Sequence, residues 1–197
     1  MTKEIKWTVD QSHSEISFKV RHLMIASVKG SFKVFDANIF TTGKDFTTAE
    51  INLWIDVSSI TTGDQKRDDH LKSSEFFDLE RHKQITFTSS TIAKKGADGI
   101  HELWGELMMI GVTKNVKLEV EFGGIIKDPW GNERAGFTLT GKINRSDWGL
   151  NWNATIETGG MMVGEEVSIA CEVELIHAIT PKSSEGFEPI KHQEVTF

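Results

Sequence analysis

Histidine is the residue type in this chain best suited to bind a metal or to transfer a proton near neutral pH. The sequence contains seven histidines, but no two of them have one or three intervening residues, the spacings that place two ligands on one face. A histidine metal site is therefore not expected. His22 differs from the others because it continues the alternating row of Ile16, Phe18 and Val20, where it could bind the polar head of a ligand or a loop carbonyl group.

The densest polar group is the segment RDDHL, residues 67–71. An aspartate in it could pair with His70 as acid and base. However, no serine or cysteine lies at a recognisable nucleophile turn, and no glycine loop resembles an oxyanion hole. The one cysteine, Cys171, lies in an apolar row and is predicted to be a core thiol. We expect Arg67, Asp68 and His70 to fix a helical segment, and we predict no catalytic residue, no metal and no cofactor.

The elements that must position these residues show a period of two along most of the chain. In each run, apolar residues alternate with polar ones, which is typical of strands with one buried and one solvated face. We predict about eight strands, the first two runs being readable as one bent strand: 5–9, 15–22, 28–39, 49–58, 84–93, 99–110, 114–126, 135–145 and 164–177. Such long amphipathic strands favour an up-and-down antiparallel barrel, because closure removes exposed sheet edges.

The phase of the alternation predicts which side chains point into the barrel. They belong to apolar rows on most of the strands, and we expect them to bind any ligand held inside: Phe18, Val20, Phe32, Leu53, Ile55, Phe87, Leu118, Val120, Leu139, Ile169 and Val173. Polar residues at one opening would complete the site: His22, Arg67 and His70. Bulges within strands can shift this phase.

Residues 62–80 break the period. Asp64 can cap a short helix, and Ser73 or Ser74 can cap a second one ahead of Phe76. We predict two short helical turns lying across one barrel end. A domain is expected over 1–178, followed by an extension over 179–197. The segment DPWGN, residues 128–132, predicts a turn with a buried aromatic side chain.

The net charge of −7 and the pI near 5.5 argue against a nucleic-acid partner, which would require a basic face. No stretch approaches the roughly 18 apolar residues of a membrane helix, so a membrane-embedded chain is not expected. No signal peptide is visible, which predicts a cytoplasmic location, or a periplasmic one if the sequence is a processed form. A homodimer is compatible with such a barrel.

Several strings, in this order and spacing, resemble one family. They are WTVDQSHSEISFKVRHL, VKGSF, RDDHLKSSEFFD, ITFTS, GVTKNVKLEV, DPWGNERAGF and RSDWGL. Together they are similar to the YceI-like family, bacterial lipid-binding proteins also described as polyisoprenoid-binding. The resemblance implies an extended, lipocalin-like barrel of eight antiparallel strands with a short helical segment in one connection. It also implies an elongated apolar channel for an isoprenoid or similar lipid tail, and no catalytic residues.

Three functions remain open from the sequence. The first is binding, storage or transport of a long apolar ligand, such as a polyisoprenoid, a quinone or a fatty acyl compound. The second is an enzyme or isomerase that acts on a bound lipid through His22, His70 or Asp69. The third is a filled barrel that serves as a stress-related interaction module without a ligand.

Overall fold

The computed structural model describes residues 3–95, 99–155 and 161–177. Within them, alternating sequence forms strands and the segment around RDDHL forms a helix, α1, at Gln65–Lys72. The strands are β1 (Glu4–Val9), β2 (Glu15–His22), β3 (Ala26–Phe32), β4 (Phe35–Thr42), β5 (Asp45–Asp56), β6 (Ile60–Thr61), β7 (Gln84–Lys95), β8 (Ile100–Met109), β9 (Val112–Lys127), β10 (Glu133–Asn144) and β11 (Val163–His177). No helix in the described ranges is long and apolar enough to cross a membrane. The predicted extension, 179–197, lies outside the described residues.

The sheet closes into a barrel. Each strand pairs antiparallel with its neighbour in the order β1-β4-β5-β7-β8-β9-β10-β11, and β11 returns to β1. The first half of β11 instead pairs with β2, and β2 pairs with β3. The 3-10 turn Gln11–His13 separates β1 from β2, and two residues separate β3 from β4. When each pair is counted as one interrupted strand, the ring is the predicted eight-stranded barrel.

Three glycines on the inner face make room for large side chains from the adjacent, paired strand. A Cβ atom on Gly30 would lie 2.4 Å from the ring of Phe18, and one on Gly105 would lie 2.4 Å from the ring of Phe87. A Cβ atom on Gly141 would meet Leu118 at the same distance. These glycines therefore serve close cross-strand packing, and only Gly105 also lies beside a bulge, between Ser89 and Thr91 on β7.

The connection between β6 and β7 begins with α1. The Asp64 carboxylate accepts a hydrogen bond from the backbone N–H of Arg67 at 3.0 Å, which is the predicted N-cap. The prediction of a second helical turn was wrong: Ser73 starts a series of tight turns instead. The carbonyl of Ser73 accepts hydrogen bonds from two following N–H groups, those of Phe76 and Asp78, so the chain reverses before a helix can propagate.

The turn between β9 and β10 forms as predicted, but its aromatic residue is not buried. Trp130 is 80% exposed, whereas Asp128 is buried. The Asp128 carboxylate accepts hydrogen bonds from the backbone N–H groups of Trp130 and Asn132 and from Arg134 Nε. The carboxylate therefore occupies the inside of the turn, and the indole is left pointing outward.

Candidate ligand-binding site

A cavity of about 850 Å³ runs along the inside of the barrel. Its walls are almost entirely aliphatic and aromatic side chains. Every residue predicted to point inward lines it: Phe18, Val20, Phe32, Leu53, Ile55, Phe87, Leu118, Val120, Leu139, Ile169 and Val173. That these side chains contact a ligand stays a prediction.

The interior is not filled by its own side chains. Ile55, Phe87 and Leu118 are buried, but Phe18 and Ile169 point into the barrel and are only half-buried. Protein interiors are normally packed as densely as organic crystals, with few voids larger than a water molecule. An apolar space of this volume falls within the range of small-molecule pockets. The arrangement can therefore enclose an apolar molecule by shape, with little use of hydrogen bonds.

One end of the cavity, the hairpin end, lies where β4 joins β5 and β7 joins β8. The rings of Phe46, Phe122 and Phe137 narrow it, with centroid distances of 4.8–5.5 Å among them. Phe46 was not predicted to line the cavity, because the pairing register of β4 and β5 shifts between Phe40 and Thr42. A shift of this kind changes which face an alternating residue occupies. Exposed polar groups, including Lys44, line the cavity beyond this aromatic cluster.

The other end, the α1 end, is lined by residues of β2, α1 and the β10–β11 connection. All three polar residues predicted for an opening lie there: His22, Arg67 and His70. The exposed side chains of Arg21 and Lys66 also line this end, so the cavity reaches the surface beside α1. The structure therefore places these three residues at one end of the cavity, and their contact with a ligand stays a prediction.

A buried network attaches α1 to the strand before it. Asp68 Oδ1 accepts hydrogen bonds from the Thr62 backbone N–H at 2.8 Å and from the Thr62 hydroxyl at 2.6 Å. Arg67 donates from Nε to the Thr62 hydroxyl at 2.7 Å and from Nη2 to the Thr62 carbonyl at 3.1 Å. Asp68 is buried, although most charged residues of such short helices are solvated. This network has the geometry of a structural attachment.

The proposed acid–base pairing of His70 with Asp69 does not form. His70 Nε2 lies 2.5 Å from a carboxylate oxygen of Glu75, while the exposed Asp69 accepts a hydrogen bond from Gln65. The His70 ring also packs edge-on against Phe76 and Trp152, at centroid distances of 5.1 and 4.6 Å. The His70–Glu75 pair and the rings of Phe76 and Trp152 therefore cover part of the α1 end.

Arg145 is a site residue that the sequence analysis did not predict. Its guanidinium is 4% exposed and donates to the carbonyl oxygens of Leu150, Trp152 and Gly164. It also pairs with Glu165. A buried arginine that bonds to several backbone carbonyls holds their segment in one conformation. Arg145 therefore positions Trp152 over the cavity, an arrangement that needs long-range contacts and has no local sequence signal.

One cluster of possible metal ligands occurs among the described residues: Asp10, His13 and Glu174, with ligand atoms within 4.8 Å of one another. Arg134 lies among them and pairs with Asp10 and Glu174, so a guanidinium supplies the positive charge there. Hydrogen bonds from Ser12 and His13, followed by Arg134, hold the pKa of Asp10 well below its usual value. This is an ion cluster fastening the bend between β1 and β2.

The cavity also contains the thiol of Cys171. Burial raises the pKa of this thiol to about 12, so it is protonated at neutral pH. A protonated thiol is a poor nucleophile, which agrees with the prediction of a core residue.

The combination of an eight-stranded barrel, a helix in one connection and an interior apolar cavity can be compared with known proteins. The profile of the YceI-like domain matches residues 7–175. The chain belongs to the YceI-like family. A UPF0312 protein of Staphylococcus aureus strain MSSA476 is 37% identical over 169 residues, which cover 85% of this chain and 95% of that protein.

Two solved structures show the same YceI-like barrel. The Campylobacter jejuni YceI protein has a TM-score of 0.66 and 31% identity, covering 86% of this chain and 96% of its own. A polyisoprenoid binding domain from Saccharophagus degradans has a TM-score of 0.64 and 16% identity, covering 88% of this chain and 99% of its own. At 16% identity, the similarity to this second structure concerns the fold alone.

Proposed function

We propose that this protein binds one long apolar molecule in the barrel interior and so stores or transports it. The observation that carries this proposal is the unfilled apolar cavity of about 850 Å³ in the centre of the barrel. Leaving that much apolar surface without contacts forfeits dispersion energy, which a bound hydrocarbon chain would restore. The choice of ligand class is supported by the polyisoprenoid binding domain from Saccharophagus degradans, which has the same fold.

The cavity volume indicates the size of the ligand. At about 30 Å³ for each water-sized group, 850 Å³ has room for on the order of 20–30 carbon-sized groups. Prenyl chains, quinones with short tails and long fatty acyl chains all meet this limit. Each CH₂ group that enters contributes at most about 0.8 kcal/mol, and ordering each added bond reduces that gain.

The test is a series of prenols and fatty acids of increasing length, measured by competition against a fluorescent fatty acid. Affinity should rise by up to about fourfold per CH₂ group, and it should stop rising once the cavity is full. Affinity that is flat with chain length, or that follows head-group charge alone, would place the binding site outside the barrel. Native mass spectrometry of the purified protein should show a discrete added mass and so identify the lipid.

A matched pair of variants ties the binding to the interior. Ile169 points into the cavity, whereas its neighbour Ala170 is exposed on the outer face. Ile169→Trp should shorten the chain length at which affinity levels off, because the larger ring occupies ligand space. Ala170→Trp on the same strand should leave that length unchanged. Equal effects of the two substitutions would contradict the proposed location.

Catalysis on a bound lipid is the weaker candidate for this site. Asp69 is exposed and does not line the cavity, and His70 pairs with Glu75. Incubating the protein with its co-purified lipid and analysing the lipid by mass spectrometry separates the two functions. A carrier should return the lipid unchanged.

A further inference from the structure

The cavity lining continues onto the surface at the α1 end. His22 and Met162 line the cavity, and three large apolar residues that are exposed lie within three positions of them in the chain. Met24 is 65% exposed, Ile25 is 83% exposed and Met161 is 53% exposed. The Leu23 backbone N–H donates to the Met162 carbonyl at 2.8 Å, which joins the two segments. We call Leu23, Met24, Ile25 and Met161 the apolar lip.

The backbone of the first segment of the lip, residues 23–25, is strained. Leu23 and Met24 have φ angles of 50° and 60°, and the Ile25 N–H donates to the His22 carbonyl at 3.3 Å. This is a hairpin turn with both central residues in the left-handed region, where Asn-Gly is the favoured pair. Non-glycine residues in such conformations cluster at functional sites. Met24 and Ile25 are exposed, so their packing against the barrel contributes little to offset the strain.

We propose that the apolar lip docks on the surface of a lipid bilayer, so that an apolar ligand passes directly between the membrane and the cavity. The inference rests on the proposed function, since a long hydrocarbon chain dissolves poorly in water and a route along the lip keeps it out of water. A methionine-rich edge suits this role, because methionine adapts to irregular apolar surroundings. Moving exposed apolar side chains from water into the acyl boundary of a bilayer is favourable.

The charges near the lip indicate what kind of membrane surface it requires. The charged side chains that line the α1 end have both signs, with Arg21, Lys66 and Arg67 against Asp64. The chain as a whole has a net charge of −7. The net charge opposes the approach of the whole chain to an anionic surface, so we expect insertion of the apolar side chains to drive docking, and to do so on uncharged phosphatidylcholine.

A matched pair of substitutions tests the lip. Ile25→Ser removes an isoleucine from it, and Ile126→Ser removes a comparably exposed isoleucine, 68% exposed, near the β9–β10 turn at the hairpin end. Flotation with phosphatidylcholine vesicles should show at least a tenfold loss of binding for Ile25→Ser and none for Ile126→Ser. Adding phosphatidylglycerol should change binding by less than the Ile25→Ser substitution does.

A second variant separates docking from folding. Replacing the strained pair by Leu23→Asn with Met24→Gly suits the turn, so thermal stability should be unchanged or higher. The same double variant should lose vesicle binding. Its loss of docking could not then be attributed to misfolding.

Transfer kinetics connect the lip to the ligand. A fluorescent fatty acid should pass from vesicles to the wild-type protein at a rate that rises with vesicle concentration, and Ile25→Ser should slow this at least tenfold. Delivered from cyclodextrin, the same probe should bind both proteins with affinities within twofold.

Three flotation results would overturn the inference: flotation of Ile25→Ser equal to that of the wild type, an equal loss for Ile126→Ser, or vesicle binding that requires phosphatidylglycerol. If the lip instead joined two copies of the chain, the molecular mass in solution would rise with protein concentration, Ile25→Ser would abolish that rise, and the wild type would not float with vesicles. This result would also overturn the inference. Failure of the probe to bind from either source would refute the proposed function, whereas flotation reports on docking without any ligand.

Discussion

Removing the Asp68 carboxylate should destabilise the protein without touching the cavity. The carboxylate accepts two hydrogen bonds from Thr62 and is buried. Hydrogen bonds to a charged group contribute about 1.5–3 kcal/mol each, and the Thr62 N–H would lose its partner in Asp68→Ala. Allowing for local relaxation, we expect a loss of about 2–4 kcal/mol. For a domain of this size that is a fall in Tm of roughly 5–15 °C.

The matched control is Asp69→Ala, on the same helix one residue later. Asp69 is exposed and accepts one hydrogen bond, from Gln65. Its loss should change stability by no more than about 0.5 kcal/mol. Both variants should be melted after bound lipid is extracted, because a ligand that binds only the folded state adds stability.

A double-mutant cycle isolates the contact. Thr62→Val removes the hydroxyl that donates to Asp68 and accepts from Arg67. Since residues of one network couple, the double variant should lose less stability than the two single variants added together. If Asp68→Ala melted with the wild type, the structural role would be wrong. If the substitution also abolished a measured turnover of lipid, the protein would be an enzyme and the carrier proposal would be wrong.

Three further outcomes are expected. The pKa of His13 should lie above its usual value because Asp10 accepts its hydrogen bond and attracts its charge, and an NMR titration should show this shift lost in Asp10→Asn. The raised pKa means that the stabilisation from this pair is complete below about pH 6.5 and fades as the pH rises through the folded-state pKa; a pH-independent contribution would contradict it. Gly105→Ala should lower the free energy of unfolding markedly, because its Cβ would lie 2.5 Å from the Thr88 carbonyl oxygen, which cannot move aside as a side chain can; urea unfolding measures this, and an unchanged midpoint would refute it. Cys171 should react slowly with iodoacetamide at pH 8 in the folded protein and rapidly in urea, because burial raises its pKa to about 12; fast labelling of the folded protein would be the contrary result.

The local sequence pattern was sufficient to predict most of the secondary structure. Ile16, Phe18 and Val20 alternate with polar residues, and a strand has only two faces, so the inward row could be predicted before any pairing was known. The same argument predicted the helix that Asp64 caps, because an N-cap acts within one turn. These features depend on neighbours in sequence, which is why composition and spacing are sufficient for them.

Tertiary structure decided what the local pattern leaves open. The pairing of β11 with β1 closes the ring across most of the chain length, and no local signal encodes such a contact. Phe46 enters the cavity after a register shift that the alternation does not show. His70 pairs with Glu75 and Arg145 with distant carbonyls because the fold brings them together.

The interior cavity is the clearest case. The inward rows predict apolar walls, but whether Phe18 and Ile169 meet in the centre depends on the barrel radius and on how each side chain leans. Gly30 lets the Phe18 ring lie across the β3 backbone. Strand number, tilt and stagger together set that radius. The sequence by itself therefore determined which residues face inward, and only the closed barrel determined that they leave room for a ligand.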